Sequence, residues 1–198
     1  MPTGPTRSWW SRPIQQDHPA GPGDHVQHHC RCQHQAGDPL HVPSRTGIGI
    51  EPATYVAGEH PNIAAIKEAN SDISKIVETF SLVGDRLDIY SGNDDQIVPI
   101  LSMGGAGCIS VLSNVIPAET VAITQRFFAG DVAGAAQLQC RYMPLIRALF
   151  CESNPIPVKA AMAALGYCDN YLRLPLVPME EDHYQGMLQR MRELGLPV

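Results

Sequence analysis

Two stretches of this chain hold residue types able to do chemistry. In "IAAIKEA" (63–69), Lys67 is the one cation of a mostly apolar run, and it is one of only three lysines in the sequence. A lysine carried by a strand into a packed interior is desolvated, which disfavours its ammonium form. The neutral amine is a nucleophile for ketones and forms an imine with them. The plainer alternative is a strand-ending lysine that pairs with Glu68 or another carboxylate. The second stretch, "DHVQHHCRCQHQ" (24–35), crowds His25, His28, His29, Cys30, Cys32 and His34 together. Imidazoles and thiolates at such density are ligand types for zinc.

The elements that would position these groups differ sharply along the chain. Up to His41 there is no Lys and no Glu, six of the eight histidines occur there, and Ile14, Val26 and Leu40 are its only large aliphatics after Met1. Such a segment buries too little apolar surface to offset its chain entropy. From Val42 the pattern becomes regular. A strand is predicted over 62–69, then a helix over 71–85 with Ile73, Ile76, Val77 and Phe80 on one face. Ser71 and Asp72 suit its start and Gly84 its end. "RLDIYSG" (86–92) is a second strand, "DDQIVPILSMGG" a short helix, and "GCISVLSN" (107–114) a third strand, with Pro117 opening a helix to about Ala129. Strands and helices alternating over short loops indicate a parallel sheet or barrel. After Gly130 only helices are expected. One is capped by Asp131, one has Pro157 in its first turn and Gly166 at its end, and the last aligns Met187, Leu188, Met191 and Leu194.

Composition excludes several classes. The net charge of −6 is wrong for a nucleic-acid surface. No apolar run approaches the ~20 residues that cross a bilayer, and "MPTGPTRSWWSRPIQQ" has no apolar signal core. A cytoplasmic protein is expected, with Cys108, Cys140, Cys151 and Cys168 as reduced core residues.

"VPSRTG" (42–47), "IKEA" (66–69), "YSGNDD" (90–95), "GGAGCISVLSN" (104–114) and "NPIPVKAAMAALG" (154–166) occur in this order. Together they closely resemble the dihydrodipicolinate synthase family over about residues 42–198. The resemblance implies an α/β fold: an incomplete (β/α)8 TIM barrel over 42–130, C-terminal strands only, followed by a C-terminal helical domain over 131–198. It implies a class I aldolase-type carbon–oxygen lyase of lysine and diaminopimelate biosynthesis, which condenses pyruvate with aspartate semialdehyde through a lysine Schiff base. Lys67 matches the imine-forming lysine, and Arg45 the arginine that holds the semialdehyde carboxylate, a task suited to a planar guanidinium. Gly92 and Ile109 match positions whose backbone lies near bound substrate, although a turn glycine and a core strand residue would read the same way. Asp94 and Asp95 are expected to cap the helix that follows them. No cofactor and no catalytic metal are implied, since the cationic imine is itself the electron sink. The family is usually a homotetramer. Arg45 separates this reading from N-acetylneuraminate lyase and the keto-sugar-acid aldolases, whose aldehydes carry no carboxylate at that place.

The family's "VPSRTG" follows a strand ending in Tyr-Asn, whereas this chain has Leu40 and His41 there. With permitted codons, a one-nucleotide shift through "HVQHHCRCQHQAGDPLH" reads "FNTIADANTKPVILY", which is family-like text. The opposite shift in "PTGPTRSWWSRPI" admits "ADALLVVTPY". Residues 1–41 are therefore expected to be an out-of-frame translation, and the His/Cys cluster an accident of frame. "PATYVAGEHPN" (52–62) also reads one residue short. A closed barrel takes about 250 residues and eight strands. This chain is then expected to supply three strands, to lack the family's Thr-Thr pair and relay tyrosines, and to turn over little or not at all. The alternatives are a catalytically inactive fragment, or a pyruvate-dependent aldolase or lyase of the same superfamily. Zinc is expected not to bind the cluster with structural-site affinity, because no apolar framework fixes a second shell. A stoichiometric submicromolar zinc titration abolished by Cys30→Ser with Cys32→Ser would contradict this.

Overall fold

The structure, a computed structural model, describes residues 63–198 together with the backbone of Leu40 and His41. Arg45, the His/Cys cluster and the frame boundary near residue 41 otherwise lie outside the described residues. Four strands form one parallel sheet in sequence order: β1 (Leu40–His41), β2 (Ala65–Glu68), β3 (Asp88–Ser91) and β4 (Gly107–Cys108). Three of these strands, β2, β3 and β4, are those expected from the sequence. The fourth, β1, pairs with β2, with Leu40 opposite Lys67 and His41 opposite Glu68.

Helix α1 (Ile73–Val83) connects β2 to β3. Asp72 caps it, its carboxylate accepting from the Ser74 N–H, as the Ser-Asp start suggested. The buried face is Ile76, Thr79 and Val83, with Phe80 packed at its margin, while Ile73 and Val77 are exposed. The expected stripe was rotated because a polar residue, Thr79, is drawn inward by a buried partner on β2.

A 3-10 turn (Asp94–Gln96) and α2 (Ile97–Ser102) follow β3. The third predicted strand is much shorter than the apolar run over 107–114. β4 ends at Cys108, and a 3-10 turn (Leu112–Asn114) takes up the rest. Within that run Leu112 is buried by packing against helices rather than by pairing, Cys108 and Val111 pack at the margin of the same cluster, and Ile109 is exposed.

Helix α3 (Pro117–Phe128) begins on its proline. The helical tail comprises α4 (Val132–Leu149), α5 (Ile156–Ala164) and α6 (Glu181–Glu193). Asp131 caps α4 through the Gly134 N–H, and Met187, Leu188 and Met191 bury the expected face of α6, with Leu194 partly buried beside them.

Two apolar clusters hold these layers. The smaller joins Ile66 and Ile89 of the strands to Ile76 and Val83 of α1 and to Ile100 of α2. The larger runs from Ile97 and Leu101 of α2 through α3 and α4 to Met187 of α6, crossing the 130/131 boundary without a break. Gln139 of α4 reinforces that join. Its Oε1 accepts from the Val98 N–H at 2.7 Å, and its Nε2 donates to the Asp95 carbonyl at 2.6 Å. One of the N–H groups that a helix start leaves unpaired is thereby satisfied from the tail. The cysteines depart from expectation. Cys140, Cys151 and Cys168 are exposed free thiols, and only Cys108 is partly buried. Cys140 falls on the solvent side of α4, and Cys151 and Cys168 lie in the segments that follow α4 and α5, which apolar neighbours in sequence do not reveal.

Asp94 also departs from expectation. It is buried and caps no residue of its own helix. Its Oδ2 instead accepts from the backbone N–H of Val111 at 3.0 Å and of Leu112 at 2.8 Å, tying the turn after β4 to the turn after β3. Burial raises the Asp94 pKa above the usual carboxylate value, while the Ser110 hydroxyl and the Leu112 and Val111 amides act against that rise. Asp94→Ala would strand two amides in the interior and is expected to cost about 2–3 kcal/mol of stability. Asp94→Asn, which keeps a carbonyl acceptor, should lose less. Equal urea midpoints for wild type and Asp94→Ala would refute this bracing role.

Candidate active site

The site is built from strand alternation. On β2, Ile66 and Glu68 are buried, and Glu68 accepts from the Thr79 hydroxyl of α1 at 3.0 Å and from the Asn70 N–H at 2.8 Å. That face is therefore the helix-covered one. Successive side chains of a strand point to opposite faces, so Lys67 stands on the other side of the sheet, where it is half-buried. Tyr90 is the register partner of Lys67 on β3, and Gly107 the partner of Tyr90 on β4. A Cβ built on Gly107 would lie 3.2 Å from the Tyr90 ring. Lys67, Tyr90 and Gly107 thus form one row across the uncovered face.

This row lies at the carboxyl ends of the strands, where parallel α/β folds assemble their sites. Gly92, the first residue after β3, donates its N–H to the Glu68 carbonyl at 2.6 Å. A Cβ at Gly92 would meet Ala69 Cβ at 2.8 Å, and both Glu68 O and Lys67 Cε at 3.0 Å. The glycine is required chiefly because Ala69 and the β2 backbone leave no room for a Cβ, and the lysine stem passes the same spot. Ile109 extends the ladder beyond β4, its N–H donating to the Ser91 carbonyl at 2.8 Å, and its side chain is exposed. Of the residues picked from sequence, the structure brings Lys67 and Gly92 into contact distance and sets Ile109 at the same edge of the sheet. Arg45 lies outside the described residues.

The loops around this edge are cross-linked. Asn93 Nδ2 donates to the Asn70 carbonyl at 3.1 Å and Gln96 Nε2 to the Ser71 carbonyl at 3.2 Å, joining the turn after β3 to the turn after β2. Tyr90 and these brackets were not singled out from sequence. Tyr90 was legible only through strand register, because its position in "DIYSG" says nothing about which residue of β2 it faces. Among the described residues the other two lysines sit elsewhere: Lys75 on α1, paired with Glu78 at 3.1 Å, and Lys159 on α5.

A parallel α/β sheet, helix-covered on one face and bearing a lysine at its carboxyl edge on the other, defines the class as an α/β protein of barrel type. The chain belongs to the Dihydrodipicolinate synthetase family, whose model matches residues 39–194. A 4-hydroxy-tetrahydrodipicolinate synthase of Clostridium perfringens is 47% identical over 156 residues, covering 78% of this chain and 54% of that relative. The chain thus spans about half the length of the curated relatives it matches. The dihydrodipicolinate synthase of Thermotoga maritima superposes with a TM-score of 0.83 at 37% identity, over 88% of this chain and 61% of that one. The enzyme of Acinetobacter baumannii, solved in complex with pyruvate, gives a TM-score of 0.82 at 30% identity, over 89% of this chain and 62% of that one. These neighbours place the fold in the TIM-barrel family, of which the described strands and helices are a mixed α/β part. Among the described residues no helix is long and apolar enough to cross a membrane.

Because the Gly92 position is filled by the lysine stem and the β2 backbone, Gly92→Ala is expected to overpack the site. A loss of about 1–3 kcal/mol in stability should follow, measured as a lower urea midpoint with an unchanged slope. An unaltered midpoint would show that the stem moves aside freely.

Proposed function

We propose that this chain carries the lysine-bearing part of a 4-hydroxy-tetrahydrodipicolinate synthase, a lyase that joins pyruvate to aspartate semialdehyde. In this reading residues 42–130 are the C-terminal part of the barrel and 131–198 its helical domain. Lys67 Nζ attacks the pyruvate ketone and water leaves; the methyl carbon of the cationic imine then loses a proton to a base, and its electron pair passes toward the imine nitrogen to give an enamine. That carbon then bonds to the aldehyde of the second substrate, the aldehyde oxygen takes up a proton, and cyclisation returns the lysine. The nitrogen cation accepts and returns the electron pair, so the step calls for no metal or organic cofactor. Arg45 is assigned to the semialdehyde carboxylate on its "VPSRTG" motif. Gly92 and Ile109 are assigned to the backbone rim around the bound pyruvate.

The observation that carries this reading is the placement of Lys67. It stands on a strand, at the carboxyl edge, on the face away from the helices, with its Cε 3.0 Å from where a Cβ of Gly92 would lie. A nucleophile on a strand is held far more narrowly than one on a loop. Its identity with the imine-forming residue is supported by the "IKEA" motif and by the family match that contains it.

Incubation of the full chain with pyruvate and borohydride should leave one reduced pyruvyl group, on the peptide containing Lys67. Lys67→Ala should abolish it. Labelling on Lys75 or Lys159 that survives Lys67→Ala would overturn the assignment.

A further inference from the structure

Away from the lysine, three side chains of unlike chemistry meet where the helical tail turns back on itself. Cys151 and Glu152 directly follow α4, and His183 lies in the first turn of α6. The Cys151 Sγ, a Glu152 carboxylate oxygen and a His183 ring nitrogen all lie within 4.8 Å of one another. Glu152 Oε1 is 2.8 Å from His183 Nδ1 and also accepts from the Glu180 N–H at 3.0 Å, so the α6 start is already tied to the α4 end. The Glu180 carboxylate lies 3.9 Å from the same His183 nitrogen and is mostly exposed. A thiolate, an imidazole and carboxylates, one from each residue, are a donor set that zinc accepts. Its bonds of about 2.0–2.3 Å in a tetrahedron need ligand atoms about 3–4 Å apart, close to the present spacing.

We propose that Cys151, Glu152 and His183, with Glu180 as the fourth corner, form a binding site for zinc or a similar divalent transition metal. The site is independent of Lys67 and of the condensation assigned to it. Its cation would add a clamp between the start of α6 and the end of α4, beside the Glu152 hydrogen bonds and the apolar packing that already join them. The surroundings favour a cation, since Glu181 and Asp182 add two further carboxylates in the same turn. Without a cation, the Cys151 Sγ donates to the Ala148 carbonyl at 3.2 Å. A dication ionises a coordinating thiol. Binding therefore releases the thiol proton and, from a protonated ring, the His183 proton.

Cobalt(II) is the probe, because a thiolate bound to it absorbs in the near ultraviolet and zinc displaces it without colour. Titration of the full chain should produce one thiolate–cobalt band that zinc removes. The band should persist in the Cys30→Ser, Cys32→Ser chain and vanish in Cys151→Ser, and His183→Gln should weaken binding about tenfold or more. A band that survives Cys151→Ser, or one that disappears with Cys30 and Cys32, would overturn the site, as would the absence of any band. None of these readouts depends on activity, so failure here leaves the lysine chemistry intact.

Discussion

The burial of one carboxylate sets the geometry of the sheet. Glu68 has no exposed surface, and a polar group can occupy such a place only if its oxygens are hydrogen-bonded. Thr79 of α1 and the Asn70 amide supply two of those bonds. They lock α1 over one face of β2, and Lys67 follows onto the opposite face by the pleat. A slip of one residue would exchange the two charges, placing a lysine against Ile76 and a carboxylate in the row with Tyr90. The Glu68–Thr79 contact is thus a register pin as well as a polar satisfaction, and the reactive row depends on it.

The same logic recurs one element further along. The turn after β3 is fixed from three sides: by Asp94 to the turn after β4, by Asn93 and Gln96 to the turn after β2, and by Gln139 to the helical tail. The carboxyl edge is therefore a continuous hydrogen-bonded rim rather than a set of independent loops. Because Gln139 belongs to α4, the tail helps to stiffen the edge that holds Gly92 against the lysine. A barrel section and a helical appendage defined by sequence texture share one rim and one apolar cluster.

Much of this was legible from residues. Apolar runs located β2 and β3, Asp72 and Asp131 marked two helix starts, and Pro117 a third, because each is a local rule written in adjacent residues. The motif order carried the family, and "IKEA" carried Lys67. The losses have one cause. Length of β4, the role of Asp94, the rotated face of α1, the β1 pairing and the exposure of three cysteines all depend on what lies across space. Asp94 is typical. Its acidic neighbour and its position before a helix predict a cap, but the amides it satisfies lie 17 and 18 residues further along. A local rule cannot see them.

Why a strand, rather than one of the helices, carries the amine follows from what imine chemistry demands. The nitrogen must meet a carbonyl carbon along a narrow approach, and small displacements cost large factors in rate. Lys75 stands on an exposed helix face and pairs with Glu78, so its amine faces solvent and a carboxylate rather than a shaped site. Lys67 has its backbone paired to strands on both sides and its Cε confined beside Gly92. Backbone pairing removes freedom at the Cα end of the side chain, and the glycine contact removes it near the reactive end. An amine anchored on a paired strand thus starts its approach to a carbonyl from a fixed Cα, which a side chain on an exposed helix face does not offer.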